Sequence, residues 1–401
     1  MLFSKTNPVS QAIESVATEA KSHPIVATLI SFFCLGFCTA AWAPLIPYAQ
    51  QRLGVNHADF GTLLLCGGLG SMIAMPTTGL IIQKIGCKAV IGTFLTLLLL
   101  TLPLLTLGNS SLSMAIALFI FGTAAGGLGV AINLQAVIVE RKFTRNMMSS
   151  FHGMCSLGGL IGVMTVTCLL AIGLTPMISA LMISLLMFFM TLFATQHSLN
   201  RGETGDQTVD SEEKPRGLIV PKPMILLFGF ICFIAFLSEG SAMDWSGIYL
   251  VDHFNVDKAY AGLAYTCFAI AMTIGRFSGS FIQKKLGEKN TVVYGAMTAG
   301  LGLCIVIFTP VWFFALIGYL LVGFGCSNIV PIIFSQVGRQ NVIPKATALS
   351  YVSTMAYSGG LVGPALIGIL SVMTGLPVVF AIIAVLIMCI PVFNRFAQKA
   401  T

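Results

Sequence analysis

The chain has 401 residues, of which 56% are hydrophobic and only 9% charged, with a formal net charge of +7. A soluble domain carries about 25% charged residues, so no water-soluble fold of this length could hide so much apolar surface, and the main solvent must be a lipid bilayer. The basic residues are scattered among short loops and form no stripe, which argues against a nucleic-acid partner and fits membrane topology instead.

Residues 1–23 are polar with mixed charge and have no short apolar core before a small-residue cleavage site. They read as a cytoplasmic segment, not a signal peptide. Crossing the hydrocarbon core takes about 20 apolar residues per helix. Suitable stretches fall near 24–48, 60–82, 88–107, 112–138, 147–172 and 175–195, then 223–250, 259–282, 290–309, 312–336, 345–372 and 376–394. Between the two sets lies 197–222, rich in charge (Arg201, Glu203, Asp206, Asp210, Glu212, Glu213, Lys214, Arg216), which suits a cytoplasmic tether. The predicted fold is an all-α membrane protein. It has twelve transmembrane helices in two six-helix bundles, 24–196 and 223–394, followed by a cytoplasmic tail at 395–401. With both termini in the cytoplasm, 18 of the 21 Lys and Arg face inward, leaving Arg52 and Lys258 outside and Arg276 within a span. This bias orients the chain in a bacterial inner membrane.

An internal repeat supports two related halves. Gly79-Leu80-Ile81-Ile82-Gln83-Lys84 closes the second span, and Gly279-Ser280-Phe281-Ile282-Gln283-Lys284 closes the eighth. Most of the eleven cysteines lie inside apolar runs and no CxxC spacing occurs, so they read as small hydrophobes. The glycine-rich stretches Gly122 to Gly129, Gly158 to Gly162 and Gly359 to Gly363 lack the Lys-Ser/Thr of a phosphate loop and read as close helix packing.

Gly79 to Lys88 resembles the loop motif of the major facilitator superfamily, with Gln83 at its acid position, Lys84 at its base and Gly86 after them. With Gln83 in that place, the acid of the family's interdomain charge latch is missing there. Ala41-Trp42-Ala43, Ala131-Ile132-Asn133, Phe151-His152-Gly153, Glu239 through Trp245, Gly275-Arg276-Phe277 and Gly359 to Pro364 are similar to the fucose-permease-like branch and to the YbjJ and MosC group. The resemblance implies a secondary transporter whose first, fourth, seventh and tenth helices line a cavity. By it, Trp42, Asn133, Gln135 and Asn328 are candidates for solute contact. Fucose-permease relatives carry acids in helices one and four. Ala43 and Gly129 stand at those positions here, so those proton sites do not carry over.

An acid inside a span costs about 2.5–3.5 kcal/mol on insertion scales. Glu239 is such an acid, roughly 21 Å into a core of about 30 Å and so past the midplane. It is either a proton-coupling carboxylate or a structural hydrogen-bond acceptor. His152 is the other buried titratable candidate for coupling. Asp244 is turned about 140° from Glu239 around the helix and reads as a helix-end or gate residue, with Trp245 as an interface anchor. Arg276 reads as a gating or structural group able to snorkel to the headgroups. Gln83 and Lys84 join these gating candidates.

The leading expectation is proton-coupled movement of a small polar organic solute (sugar, polyol or amino-polyol) by alternating access of a monomer. The alternatives are efflux of an amphipathic compound, which the many Met and Phe would suit, and copper import. The Met-x-x-x-Met and His-x-x-x-Met spacings of a copper branch are absent from 223–282. No metal site, cofactor, catalytic set or nucleotide-binding motif stands out, so neither an enzyme nor ATP coupling within this chain is expected.

Overall fold

The computed structural model describes residues 8–143, 147–204, 222–340 and 345–399, and no strand occurs among them. In chain order the elements are α1 (Pro8–Ala41), a 3-10 turn (Ala43–Leu45), α2 (Ile46–Leu53), α3 (His57–Leu107), α4 (Ser111–Phe143), α5 (Met148–Ala171), α6 (Pro176–His197) and the short α7 (Arg201–Thr204). There follow α8 (Pro223–Phe254), a 3-10 turn (Lys258–Tyr260), α9 (Gly262–Phe277), α10 (Gly279–Phe308), α11 (Trp312–Cys326), α12 (Ile329–Arg339), α13 (Lys345–Thr374) and α14 (Leu376–Lys399). Among the described residues, eleven stretches are long and apolar enough to cross a bilayer. The predicted eighth span, 259–282, divides into the 3-10 turn, the 16-residue α9 and, past Ser278, the first turns of α10. Side chains such as Leu185, Phe189, Phe313 and Val385 are exposed on the outside, where lipid replaces water as the partner of apolar surface.

Prolines break two spans that the sequence predicts as unbroken. Pro44 and Pro47 lack the N–H for the ladder, and their rings would meet the carbonyls of Ala40 and Ala43. The first span accordingly stops at Ala41 and restarts as α2, with Trp42 at the break. Pro331 would meet the carbonyl of Ser327, and the tenth span is interrupted there, with Asn328 at the start of α12.

The opposite holds between the second and third spans. The predicted loop shrinks to a reversal within α3 at Gly86 (φ 84, ψ 165), and Gly287 repeats it within α10 (φ 74, ψ 159). Only glycine enters that region without strain. Close helix approaches repeat in the same register. A Cβ on Gly158 would stand 2.2 Å from the Phe33 carbonyl oxygen, and one on Gly359 would stand 2.3 Å from that of Phe233. Gly122 against Gly67 and Gly323 against Phe268 form a second such pair, at 1.7 and 2.1 Å. Thus α1 packs on α5 as α8 packs on α13, and the second span packs on α4 as α9 packs on α11.

The two sets of helices meet through α3 with α13 and α5 with α9. Contact is tight at the end away from the termini, where a Cβ on Gly61 would be 2.6 Å from the Pro364 carbonyl oxygen and one on Gly262 would be 2.1 Å from Thr167 Oγ1. Toward the termini, α3, α4, α8 and α13 part around a chamber of about 560 Å³.

Candidate functional site

Polar groups converge at the middle of α8. Glu239 lies near the middle of this 32-residue helix. Its Oε2 faces Arg276 Nη2 of α9 at 3.4 Å, and Arg276 Nη1 donates to Ser156 Oγ of α5 at 3.2 Å. Arg276 therefore turns inward to an acid, and the expectation of snorkelling is corrected. The physical reason is that opposite charges inside a membrane each offset the other's desolvation. The Glu239 side chain is 23% exposed and that of Arg276 42%, so the pair faces open space. Two guanidinium donors are engaged; a guanidinium has five.

His152 stands four residues before Ser156 on α5, one turn away on the same face. It is exposed, lies edge-on to the Phe32 ring at 5.2 Å, and is within electrostatic reach of Arg276. Tyr265 of α9 is within reach of Glu239, Arg276 and Asp244. The arrangement offers a solute oxygen or nitrogen both donors and an acceptor on one wall.

The other predicted residues lie elsewhere. Asp244 is 6% exposed and has no hydrogen bond or ion pair among the described residues. Trp245 is fully buried with its ring edge-on to His57 at 5.4 Å, so it is packed inside the protein and does not anchor at the lipid interface. Gln135 is fully buried. Its amide donates to Thr28 Oγ1 and Ser198 Oγ and accepts from the Leu199 backbone N–H, which ties α4 to α1 and the end of α6 and corrects the expectation that it meets solute. Asn328 is similarly spent: Nδ2 donates to the Gly275 carbonyl at 2.9 Å and to Ser327 Oγ, pinning the break in the tenth span to α9. Trp42 is 4% exposed at the break in the first span. Asn133 is half-buried, with Nδ2 returned to its own helix at Gly129. Lys84 is exposed, and the Gln83 side chain lies outside what is described.

Several features gave no signal in the sequence. Ser156 and Tyr265 are ordinary residues until α5 and α9 bring them beside Arg276. At the end away from the termini, His57 Nε2 lies 3.0 Å from Asp252 Oδ2 and its Nδ1 3.2 Å from Ser371 Oγ, while Lys258 donates to Gln51. These contacts join positions roughly 200 to 300 residues apart, and no local spacing could announce them.

The model of the Major Facilitator Superfamily matches residues 28–339 and again 228–399. The chain belongs to the major facilitator superfamily. An uncharacterised MFS-type transporter of Yersinia pestis is 41% identical over 391 residues, covering 98% of this chain and 100% of that one. Membrane protein MosC of Rhizobium meliloti is 29% identical, with 93% and 90% covered. A crystal structure of a mutant of the nucleoside transporter NupG superposes with a TM-score of 0.75 over 94% of this chain and 99% of its own, at 16% identity, a likeness of fold alone. This major facilitator chain is a multi-pass membrane transporter that resembles the MosC group, acting on a small-molecule solute.

Proposed function

We propose that the chain is a proton-coupled secondary transporter moving a small polar organic solute, of the sugar, polyol or amino-polyol class, across a bacterial inner membrane. Two six-helix bundles, 24–196 and 223–394, rock about a mid-membrane site, with both termini cytoplasmic. The matched glycine contacts and the paired reversals at Gly86 and Gly287 support two like halves. The tight contacts at Gly61 and Gly262 lie between an open vestibule at the far end and the chamber on the near side, and this closure supports an inward-facing arrangement.

One observation carries the reading. Arg276 joins Glu239 of its own bundle to Ser156 of the other, on a wall open to solvent. A solute hydroxyl can replace Ser156 as the partner of Arg276. A proton on Glu239 removes its charge and frees the guanidinium for that solute, which links proton binding to solute binding. His152 is the second group able to take a proton at this wall. Asn133 is the half-buried amide on the α4 side.

The test begins with a thermal-shift screen of sugars, polyols and amines, since a ligand that binds only the folded state raises its stability. The hit is then followed in proteoliposomes. Wild type should accumulate it under an imposed pH gradient. Glu239→Gln should lose accumulation yet still exchange solute across the membrane. Full gradient-driven accumulation by the variant sinks the coupling role. The chamber bears Met72, Met75, Phe236 and Tyr357, which favours a second reading, outward movement of an amphipathic compound. Broad inhibition by lipophilic cations would support that reading instead.

A further inference from the structure

Asp244 is the acid that the proposed mechanism leaves unused. Its residue is 6% exposed, yet no hydrogen bond or ion pair reaches the carboxyl among the described residues. The next two residues repeat the pattern: Trp245 Nε1 and Ser246 Oγ are buried with no partner there. An unpaired carboxylate in such a place is expensive, whereas the neutral acid is not. Glu239, with Arg276 at 3.4 Å, has no such difficulty.

The position of Asp244 supplies a route. Four residues later on the same helix face is Ile248, and further along lie Val251, Asp252 and Asn255. All four line a vestibule of about 760 Å³ at the end away from the termini, which is periplasmic in the proposed orientation. Asp244 thus sits one turn below the vestibule floor. On its other side Tyr265 is within electrostatic reach of both Asp244 and Glu239. Of the other charged or titratable groups around α8, Arg276 is engaged by Glu239 and Ser156, His57 by Asp252 and Ser371, Cys326 by Ser238 and Tyr249 by the Val306 carbonyl, while the Tyr319 hydroxyl is buried without a partner among the described residues.

We infer that Asp244 is a second proton-binding site of this transporter, loaded from the periplasmic vestibule and distinct from the Glu239–Arg276 pair. The inference rests on the reading that the chain carries protons, but its readout does not require transport. A proton from vestibule water binds the Asp244 carboxylate to give the neutral acid, and the same proton leaves when the site empties.

The experiment is infrared difference spectroscopy of the full-length purified protein between acid and alkaline buffer. Wild type should show the carbonyl stretch of a buried protonated acid, lost on alkalinisation. Glu239→Gln should keep that band and Asp244→Asn should lose it. A band intact in Asp244→Asn, or abolished by Glu239→Gln alone, overturns the inference. Thermal unfolding supplies the second measurement. Asn mimics the neutral acid, so Asp244→Asn should unfold at the wild-type temperature or above. A marked fall would mean that the carboxylate serves as an ionised structural acceptor, and the proposal fails. An Asp244 band without gradient-driven uptake would sink the transport coupling while leaving this site standing.

Discussion

Glu239 and Asp244 are five residues apart on one helix, yet their surroundings are opposite. Glu239 is partly open to solvent, paired with Arg276 and linked through it to Ser156 of α5. Asp244 is closed in and has no partner among the described residues. The difference arises from helix geometry: five steps of about 100° turn the second acid away from the first. One face of α8 meets α9 at a polar wall, and another runs up beneath the vestibule. Acids inside a span are therefore not interchangeable: their phase around the helix sets how many partners each one has.

Breaking the pair should give the largest effect. Arg276→Ala leaves Glu239 as an unpaired acid. Removing one partner of a fully buried pair costs about 3–5 kcal/mol, but Arg276 is 42% exposed, so about 1–3 kcal/mol is expected after solvent screening. Adding Glu239→Gln to Arg276→Ala should recover part of this loss. Denaturation of the two single variants and the double variant measures the coupling; strict additivity would show that the pair is a coincidence of geometry.

A buried polar group that does have partners sharpens the contrast with Asp244. Gln135→Ala removes an amide shared among Thr28, Ser198 and the Leu199 backbone. Leaving such groups unmet costs roughly 1–3 kcal/mol. Stability should fall accordingly while the affinity for the solute found by screening stays the same. Weakened binding without a loss of stability would restore Gln135 to the solute path.

How much of this was legible in the sequence follows the same division between local and distant causes. The helical class was readable, because apolar length is a local feature. The breaks at Trp42 and Asn328 were readable in principle from Pro44, Pro47 and Pro331, whose carbonyl clashes fall four residues back. The Glu239–Arg276 contact was not, since an antiparallel helix pair sets it and both residues read as separate anomalies. The burial of Trp245 was hidden for a like reason. A tryptophan near the end of a predicted span ordinarily anchors at the interface, and α8 runs on past it to Phe254.

The smallest effects should come from the groups flanking the pair on α5. Ser156→Ala removes one hydrogen bond to a charged donor, a bond of 3.2 Å at a partly open site. A hydrogen bond to a charged group contributes about 1.5–3 kcal/mol when buried. Water can replace the hydroxyl here, so the loss in stability should be about 0.5 kcal/mol or less. The variant is more informative in transport. If Ser156 holds Arg276 only until solute takes its place, the hydroxyl competes with the solute, and Ser156→Ala should bind solute as tightly as wild type or more tightly. A fall in affinity would mean that Ser156 contacts the solute itself, which moves the binding wall from α8 and α9 toward α5. His152→Ala should then discriminate further, because it lies on the same face one turn away: unchanged affinity with altered pH dependence of uptake assigns it to the proton, and lost affinity assigns it to the solute.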